Sequence, residues 1–383
     1  MTSQATFRTN LLLATVVPLF FLLLIEGASR LIESFSPDKE ESMTLDMPSW
    51  MVEAHNSPKT FSTKELQWMK LFQSGEGYRV HLQPNISALI PDTFSWTKYL
   101  PGAGFEVHSN EKGFRILPPE HQSEQPPQKR IIFFGDSSTF GWGVDGKESY
   151  PFRLQEELKE KGLSEEYQIA NFAMPGDSSE FGRLLFDHFA PTEMGDIAVL
   201  SFGANDARLS SVPHRSQVNR FQEQALLQSV RGALTAHSAF VRFIDKALQP
   251  PLKTVAENNR TAAVPLKRYK GNMRHMIRKS REYGAKQVLL VAVCSPAPYA
   301  RALKRVAQNE GALYYNAQVH LRNLIPSLQK EKKYASTVKE MKASYGGLLK
   351  KQPVLYVTSD GCHPNKIGNH VIAKRLAKML SQG

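Results

Sequence analysis

The stretch Lys129–Val144, KRIIFFGDSSTFGWGV, decides the fold of this chain. Its apolar run, Ile131–Phe134, consists of β-branched and aromatic residues, which is typical of a strand buried on both faces of a parallel sheet. The run ends abruptly at Gly135, Asp136 and Ser137, so the chain turns at the carboxyl end of that strand. Ligands of open α/β sheets bind at this edge. Ser137 is therefore a candidate nucleophile.

Predicted strands and helices alternate downstream of this stretch. Strands separated by helices of ten or more residues predict a five-stranded parallel sheet with helices on both faces, a three-layer α/β/α sandwich. A long region at 207–262 interrupts the alternation and is a candidate lid or acyl-binding wall, with two packing helices as the equal alternative. The predicted later strands are Gln168–Phe172, Asp196–Phe202, Gln287–Val293 and Ala312–Tyr315, and the predicted helices are Tyr150–Lys161, Glu180–Phe189, Tyr269–Tyr283, Pro298–Glu310 and Ile367–Leu380.

The composition indicates a largely globular chain with a basic balance. Of 383 residues, 41% are hydrophobic and 22% are charged, and the formal net charge is +12. A basic balance suggests anionic surroundings such as phospholipid headgroups, acidic polysaccharide or nucleic acid. The sequence has neither zinc-finger spacing nor an RNP-like aromatic motif, so we predict no nucleic-acid partner. Two cysteines are too few for a four-cysteine zinc site, and we predict no metal and no cofactor.

The N-terminal region predicts a membrane anchor or a signal peptide. Seventeen uncharged residues separate Arg8 from Glu26, which is the short end of a membrane span. No clean cleavage site follows, so we favour an uncleaved anchor. The predicted divisions are a cytoplasmic tail at 1–8, the anchor or signal at 9–28, a stalk and N-terminal elaboration at 29–128, and the main domain at 129–383. The positive-inside rule then places the main domain in the periplasm or outside the cell, on a single-pass inner-membrane protein.

Residues with catalytic chemistry follow the predicted strands. Ser137 follows the first strand, Gly176 the second and Asn205 the third, while Asp360 and His363 precede the last helix. The carboxyl ends of parallel strands share one edge of the sheet. We therefore expect these five residues to lie close together.

The chain resembles the SGNH, or GDSL-like, hydrolase family, including membrane-anchored bacterial members. The resemblance covers about the last two thirds of the chain and implies a flavodoxin-like SGNH hydrolase fold. Two positions depart from the family pattern: Ser138 replaces the leucine of the GDSL name, and Ala173 replaces a common glycine. The matching motifs are Gly135-Asp136-Ser137, Asn171 with Gly176, Gly203-Ala204-Asn205-Asp206, Asp360-Gly361-Cys362-His363-Pro364 and, upstream of the serine, Asn110-Glu-Lys-Gly113-Phe114-Arg115.

The resemblance also implies a role for each residue. Ser137 would be the nucleophile, His363 its base, and Asp360 the group that orients the imidazole. The backbone N–H groups of Ser137 and Gly176 and the side-chain amide of Asn205 would form the oxyanion hole. The alternative is structural: Ser137 and Asp360 would cap helices and His363 would be a surface histidine.

Three functions remain open on the sequence alone. The first is a serine esterase that acts through an acyl-enzyme and deacetylates or deacylates a glycan or lipid. The second is an O-acyltransferase that modifies a cell-surface polysaccharide through the same intermediate. The third is an inactive carbohydrate-binding module on the same fold, against which the intact Ser137, Asp360, His363 and Asn205 argue.

Three further features have competing interpretations. Gly141–Lys147 nearly spells a phosphate loop, but Glu148 replaces the Ser or Thr that binds magnesium, so we reject nucleotide binding. Cys294 and Cys362 either form a disulfide near the predicted site or remain free thiols. The basic helix at 267–281 is a solvated face or a surface that contacts lipid headgroups or an acidic polymer.

Overall fold

The computed structural model describes residues 2–35, 71–91 except 74, 76–77 and 79, 104–118, 129–162, 167–210, 213–219, 238–248 and 261–381. The chain forms two compact units. The larger unit comprises residues 45–218 and 255–383, and the smaller unit comprises residues 1–44 and 219–254.

Regular elements account for most of the described residues. The strands are β1 Phe72–Gln73, β2 His81–Leu82, β3 Ser87–Pro91, β4 Gly104–Ser109, β5 Arg115–Ile116, β6 Lys129–Gly135, β7 Tyr167–Asn171, β8 Ile197–Ser201, β9 Leu209–Ser210, β10 Thr261–Ala262, β11 Gln287–Ala292 and β12 Leu313–Asn316. The helices are α1 Thr2–Phe35, α2 Ser137–Phe140, α3 Tyr150–Lys159, α4 Ser179–Glu193, α5 Ala204–Ala207, α6 Ala239–Leu248, α7 Leu266–Glu282, α8 Ala297–Glu310, α9 Ala317–Leu328, α10 Ala335–Tyr345, α11 Leu348–Lys351 and α12 Lys366–Leu380.

The central sheet of the larger unit has five parallel strands in the order β7-β6-β8-β11-β12. In chain order these are strands 2-1-3-4-5, which is the flavodoxin-like arrangement. The predicted five-stranded parallel sheet is therefore confirmed. The chain passes from β6 to β7 on one side of β6 and then crosses to β8 on the other side. The strand order therefore reverses between β6 and β8. Ser137 follows β6 and thus lies at the switch point, where α/β sheets bind their ligands.

Both faces of β6 are covered by helices, which explains its uninterrupted apolar sequence. Ile131 and Phe133 belong to a buried cluster that includes residues of α3 and α12. Phe134 points to the other face, where its ring lies 5.0 Å from that of Phe186 on α4 and 5.3 Å from that of Phe172. Residues 131–134 are fully buried, so each side chain removes apolar surface from water whichever way it points.

The segment between β12 and Asp360 contains three helices that the sequence analysis did not assign. These helices, α9, α10 and α11, extend the core on the α3 and α12 face of the sheet. The buried apolar side chains that they contribute are Ala317, Leu321, Ile325, Leu328, Val338, Met341, Tyr345 and Leu349.

Within the predicted 29–128 elaboration, residues 29–35 belong to α1, and the regular elements of the other described residues are β strands. Strands β3, β4 and β5 form an antiparallel sheet, and β1 pairs with β2. Phe105 and Val107 on β4 are buried, while Glu106 between them is exposed. This alternation is typical of a strand with one covered face.

The predicted lid is described only in part. Strands β9 and β10, near the two ends of the region, pair antiparallel. Residues 211–212, 220–237 and 249–260 of the region lie outside the described residues, so the lid stays a prediction.

The smaller unit contains α1 and α6. The Glu26 carboxylate of α1 accepts hydrogen bonds from the N–H groups of Ala239 (2.9 Å) and Phe240 (3.1 Å) and from the Ser238 hydroxyl (2.7 Å), at the start of α6. It thereby satisfies donors that a helix N-terminus leaves open. The predicted anchor at 9–28 falls within α1. Among the described residues, we found no helix with the length and apolar character needed to cross a bilayer, so the anchor gains no support.

Candidate active site

Ser137 begins α2 directly after β6. Asp136 caps this one-turn helix, since its Oδ1 accepts the N–H of Ser138 at 2.9 Å. The Ser137 Oγ lies 2.8 Å from Nε2 of His363. Burial raises the pKa of Asp136 to about 6, although its hydrogen bonds with Ser138 and the charge of His363 oppose the shift. Ser137 therefore has a histidine within hydrogen-bonding distance, as the sequence analysis predicted.

Asp360 holds the other side of the His363 ring. Its Oδ2 lies 2.6 Å from Nδ1 of His363, and its Oδ1 accepts the N–H groups of Cys362 at 2.9 Å and His363 at 2.8 Å. Burial by itself raises the pKa of Asp360, but the charge and hydrogen bonds of His363 outweigh it and lower the pKa to about 2. Likewise, burial opposes protonation of His363, yet the Asp360 carboxylate outweighs it and raises the pKa of the imidazole. Asp360 therefore stabilises a proton on His363.

The loop that carries Asp360 and His363 is tied down at several points. A disulfide joins Cys362 to Cys294, two residues after β11, with the Cα atoms 5.1 Å apart. The N–H of Ser359 donates to the His363 carbonyl at 2.8 Å. Asn365 caps α12 by accepting the N–H of Ile367 at 3.0 Å. Of the two possibilities for the cysteines, the structure has the disulfide, and it fixes the residue between Asp360 and His363.

The loops after β6, β7 and β8 are joined directly by backbone hydrogen bonds. The N–H of Met174 donates to the Gly135 carbonyl at 3.0 Å, and the N–H of Asp136 donates to the Ser201 carbonyl at 3.3 Å. These bonds bring the loops that carry Gly176 and Asn205 next to the Ser137 turn. The three predicted loops therefore meet at one edge of the sheet.

Three hydrogen-bond donors lie on these loops. The Asn205 side chain donates one amide hydrogen to the Asp177 carbonyl at 3.0 Å, which leaves its second amide hydrogen for another acceptor. Gly176 has φ +78°, a left-handed conformation that favours glycine. Within the described chain, the N–H groups of Ser137 and Gly176 have no hydrogen-bond acceptor. These groups are the donors that the sequence analysis named for an oxyanion hole.

A buried polar network fixes Ser179 and Glu180, the residues that follow the Gly176 loop. Asp206 accepts the N–H of Ser179 at 3.0 Å and the Ser179 hydroxyl at 2.5 Å. Asn272 on α7 donates to the Ser179 hydroxyl at 3.1 Å and to Glu180 at 2.8 Å. Burial raises the pKa of Asp206 to about 7, against the opposing effect of its Ser179 hydrogen bonds. The sequence analysis missed Asn272 and Glu180, since no local motif marks them.

Three charged or titratable residues outside the site pair with carboxylates. His370 lies on α12 with Nε2 2.9 Å from Oε1 of Glu157. In the basic helix α7, Arg268 pairs with the buried Glu180 and Arg278 pairs with Glu310. Part of this positive charge is therefore neutralised within the larger unit.

A parallel α/β sheet with a hydrogen-bonded serine, histidine and aspartate at its carboxyl edge defines the class of α/β serine hydrolases. The model of the GDSL-like lipase/acylhydrolase family matches residues 133–371, which is more than half of the chain. The chain belongs to this family, and it is a serine hydrolase of SGNH type that acts on esters.

The solved structures that match this chain have low sequence identity to it. A crystal structure of TesA shares 17% identity, with a TM-score of 0.38, over 66% of this chain and 98% of that chain. An acetyl xylan esterase, AlAXEase, shares 17% identity, with a TM-score of 0.38, over 66% and 99%. A lipase/acylhydrolase from Enterococcus faecalis shares 16% identity, with a TM-score of 0.38, over 66% and 96%. No curated protein sequence matches the chain.

Proposed function

We propose that the protein is a serine esterase in which Ser137 attacks the ester carbonyl and forms an acyl-enzyme. The observation that carries the proposal is the unbroken hydrogen-bonded path from Ser137 Oγ through His363 to Asp360, with distances of 2.8 and 2.6 Å. A serine hydroxyl is a weak nucleophile at neutral pH and needs an adjacent base. Nε2 of His363 is placed to accept its proton.

The proton then moves through one side chain. As Ser137 Oγ bonds to the carbonyl carbon, its proton passes to Nε2 of His363, and the Asp360 carboxylate stabilises the imidazolium. His363 returns that proton to the departing alcohol when the ester C–O bond breaks. A water molecule repeats the sequence on the acyl-enzyme, which releases the acid and restores Ser137.

The negative charge that develops on the carbonyl oxygen needs fixed donors. We assign the N–H groups of Ser137 and Gly176 and the Asn205 amide to this oxyanion hole. All three are held before substrate arrives, because Asn205 is anchored on Asp177, the Gly176 loop is anchored on Asp206, and Asp136 caps the helix that Ser137 begins. Preorganised donors stabilise a developing charge without reorganising during the reaction.

The proposed substrate is an ester of a glycan or lipid, and the proposed location is an oxidising compartment outside the cytoplasm. The Cys294–Cys362 disulfide supports this location, since disulfides persist in oxidising environments and are rare in the cytosol. Mass spectrometry of protein alkylated without reduction should recover the two cysteines as one cross-linked peptide pair. Recovery of two alkylated thiols from native cells would contradict the location.

The experiment that tests the proposal combines p-nitrophenyl acetate with a fluorophosphonate probe. The wild-type protein should release nitrophenol and become covalently labelled, and Ser137→Ala should abolish both. Ser138→Ala is the matched control. Ser138 is the neighbouring serine and is buried, so the variant should still be labelled at Ser137. Labelling of Ser137→Ala, or none of the wild type, would refute the role of Ser137. Labelling with turnover only on addition of a glycan acceptor would identify an acyltransferase instead.

A further inference from the structure

Arg115 is buried beneath the turn that follows Ser137. Only 1% of its surface is exposed. Its Nη1 donates to the carbonyls of Phe140 (2.8 Å) and Gly141 (2.7 Å), and its Nη2 donates to those of Glu106 (2.8 Å) and Val144 (2.7 Å). One guanidinium therefore joins β4 to three carbonyls of the segment 140–144.

The segment 140–144 closes the turn that begins with Ser137. The Ser137 carbonyl accepts the N–H groups of Gly141 at 3.2 Å and Trp142 at 3.0 Å. A single helical turn has little stability of its own, because nucleation costs more than one hydrogen bond returns. Gly141 and Gly143 have φ +85° and +86°, and glycine gives up more conformational freedom on folding than other residues. The turn therefore depends on outside contacts to stay in place.

A guanidinium suits this position better than other side chains. Its planar fork presents several donors in fixed directions, and here four of its hydrogen bonds reach backbone carbonyls. Its Cζ also lies 4.9 Å from the centre of the Phe140 ring. Burial lowers the pKa of Arg115 to about 9, against the raising effect of Asp145, so the side chain is still a cation at neutral pH. Burying a charge away from water is costly unless it is well hydrogen-bonded, and these carbonyls supply the bonds.

The residues before Arg115 fix its approach. The Asn110 Oδ1 accepts the N–H groups of Lys112 at 3.0 Å and Phe114 at 2.9 Å, which closes a tight turn. Gly113 has φ +75°, and a Cβ there would lie 2.1 Å from the Leu82 carbonyl oxygen. The Phe114 ring lies 4.3 Å from the Phe172 ring, next to β7. The turn at Asn110 and the packing of Phe114 against Phe172 therefore fix the backbone that leads into Arg115.

We propose that Arg115 is a positioning residue for the nucleophile, which holds the Ser137 turn against the β3-β4-β5 sheet. This inference rests on the proposed role of Ser137. Arg115 lies outside residues 133–371, which the family model matches, so a determinant of the nucleophile's geometry comes from the N-terminal elaboration. Gly141, the first glycine of the stretch that resembles a phosphate loop, lies in the turn that Arg115 holds.

The test compares Arg115→Lys with Arg130→Lys. Lysine keeps the charge, but its hydrogen-bond donors all lie on one nitrogen atom, which cannot reach four carbonyls. Arg130 lies at the opposite end of β6, where its Nη1 donates to Glu193 Oε2 at 3.0 Å, so its substitution disturbs the same strand away from the site. We expect Arg115→Lys to lower kcat and the fluorophosphonate labelling rate about 10- to 100-fold, because small misplacements of reacting groups are costly. KM for p-nitrophenyl acetate should stay unchanged. The pH at which kcat/KM rises on the acid side of its pH–rate profile should also stay unchanged.

The control variant separates positioning from stability. Arg130→Lys should keep its labelling rate near that of the wild type even if its melting temperature falls as far as that of Arg115→Lys. Wild-type labelling by Arg115→Lys would overturn the inference, as would equal losses of labelling in the two variants. A wild-type protein that is not labelled at all would instead refute the proposed function.

Chemical rescue gives a second measurement. Arg115→Ala removes all four hydrogen bonds, and guanidinium at concentrations well below denaturing should restore part of its labelling rate. Ammonium at the same concentration should restore less. If the variant does not fold, the comparison of the lysine variants decides alone. Equal rescue by the two ions would contradict the need for a fork of donors.

Discussion

Replacing Asp360 by asparagine tests the electrostatic design of the site with little change in shape. In Asp360→Asn, the amide side chain would keep one oxygen for the N–H groups of Cys362 and His363, which now bind Asp360 Oδ1. Its NH₂ group would then face Nδ1 of His363 and donate to it. That contact favours the tautomer with the proton on Nε2, which cannot accept the proton of Ser137.

The structure sets the size of the charge effect. The pKa of Asp360 falls from 3.8 to about 2 even though burial opposes the shift. At roughly 1.4 kcal/mol per pKa unit, this corresponds to about 2.5 kcal/mol of net stabilisation of the carboxylate beside His363. Loss of a comparable amount from the imidazolium lowers kcat by about 10²-fold. The wrong tautomer adds to this loss, and the same substitution in a chymotrypsin-like triad costs about 10⁴-fold.

The assay is a pH–rate profile of kcat/KM for p-nitrophenyl acetate, measured with Asp360→Asn and the wild type. The wild-type acid limb reports His363, whose pKa Asp360 raises, so activity should rise as pH increases through that pKa. In Asp360→Asn we expect the limb to move to lower pH and the plateau to fall by at least about 10²-fold. A variant with an unmoved acid limb or more than a tenth of wild-type activity would refute this reasoning.

The same geometry makes three further predictions. Asn205→Ala should lower kcat by about 10²–10³-fold with little change in KM, since the donor acts on the developing oxyanion; an equal rise in KM with unchanged kcat would contradict this. Replacing Cys294 and Cys362 by Ala should lower the free energy of unfolding by about 2–4 kcal/mol, because their bond closes a loop with a sequence separation of 68. The double variant should also have a lower kcat, and unchanged kinetics and stability would show that the disulfide is not needed to position the Asp360–His363 loop. The folded-state pKa of Asp206, about 7, lies above its unfolded value near 3.8, so its contribution to stability is complete below about pH 4 and is lost as pH rises through 7. The melting temperature of the wild type should therefore fall more between pH 5 and 8 than that of Asp206→Asn, and equal slopes would contradict this.

Sequence periodicity located the strands and helices of the sheet well, because burial on both faces leaves a strong local pattern. The run Ile131–Phe134 lies within β6, and the predicted Gln287–Val293 differs from β11, Gln287–Ala292, by one residue. The pattern failed for α9, α10 and α11. In α10, for example, the buried residues Val338, Met341 and Tyr345 do recur at helical spacing, but this stripe comprises only three residues of an eleven-residue helix and the sequence analysis did not assign it.

The sequence by itself determined the parallel sheet, its five strands and the order in which Ser137, Gly176, Asn205, Asp360 and His363 follow its elements. Each of these depends on local composition and on the rule that parallel strands end at one edge. Only the tertiary structure decided that Cys294 reaches Cys362, that Asp206 and Asn272 support the Gly176 loop, and that Arg115 holds the turn of Ser137. These contacts join residues far apart in the chain, and their hydrogen bonds depend on the packing of whole elements, which local periodicity does not encode.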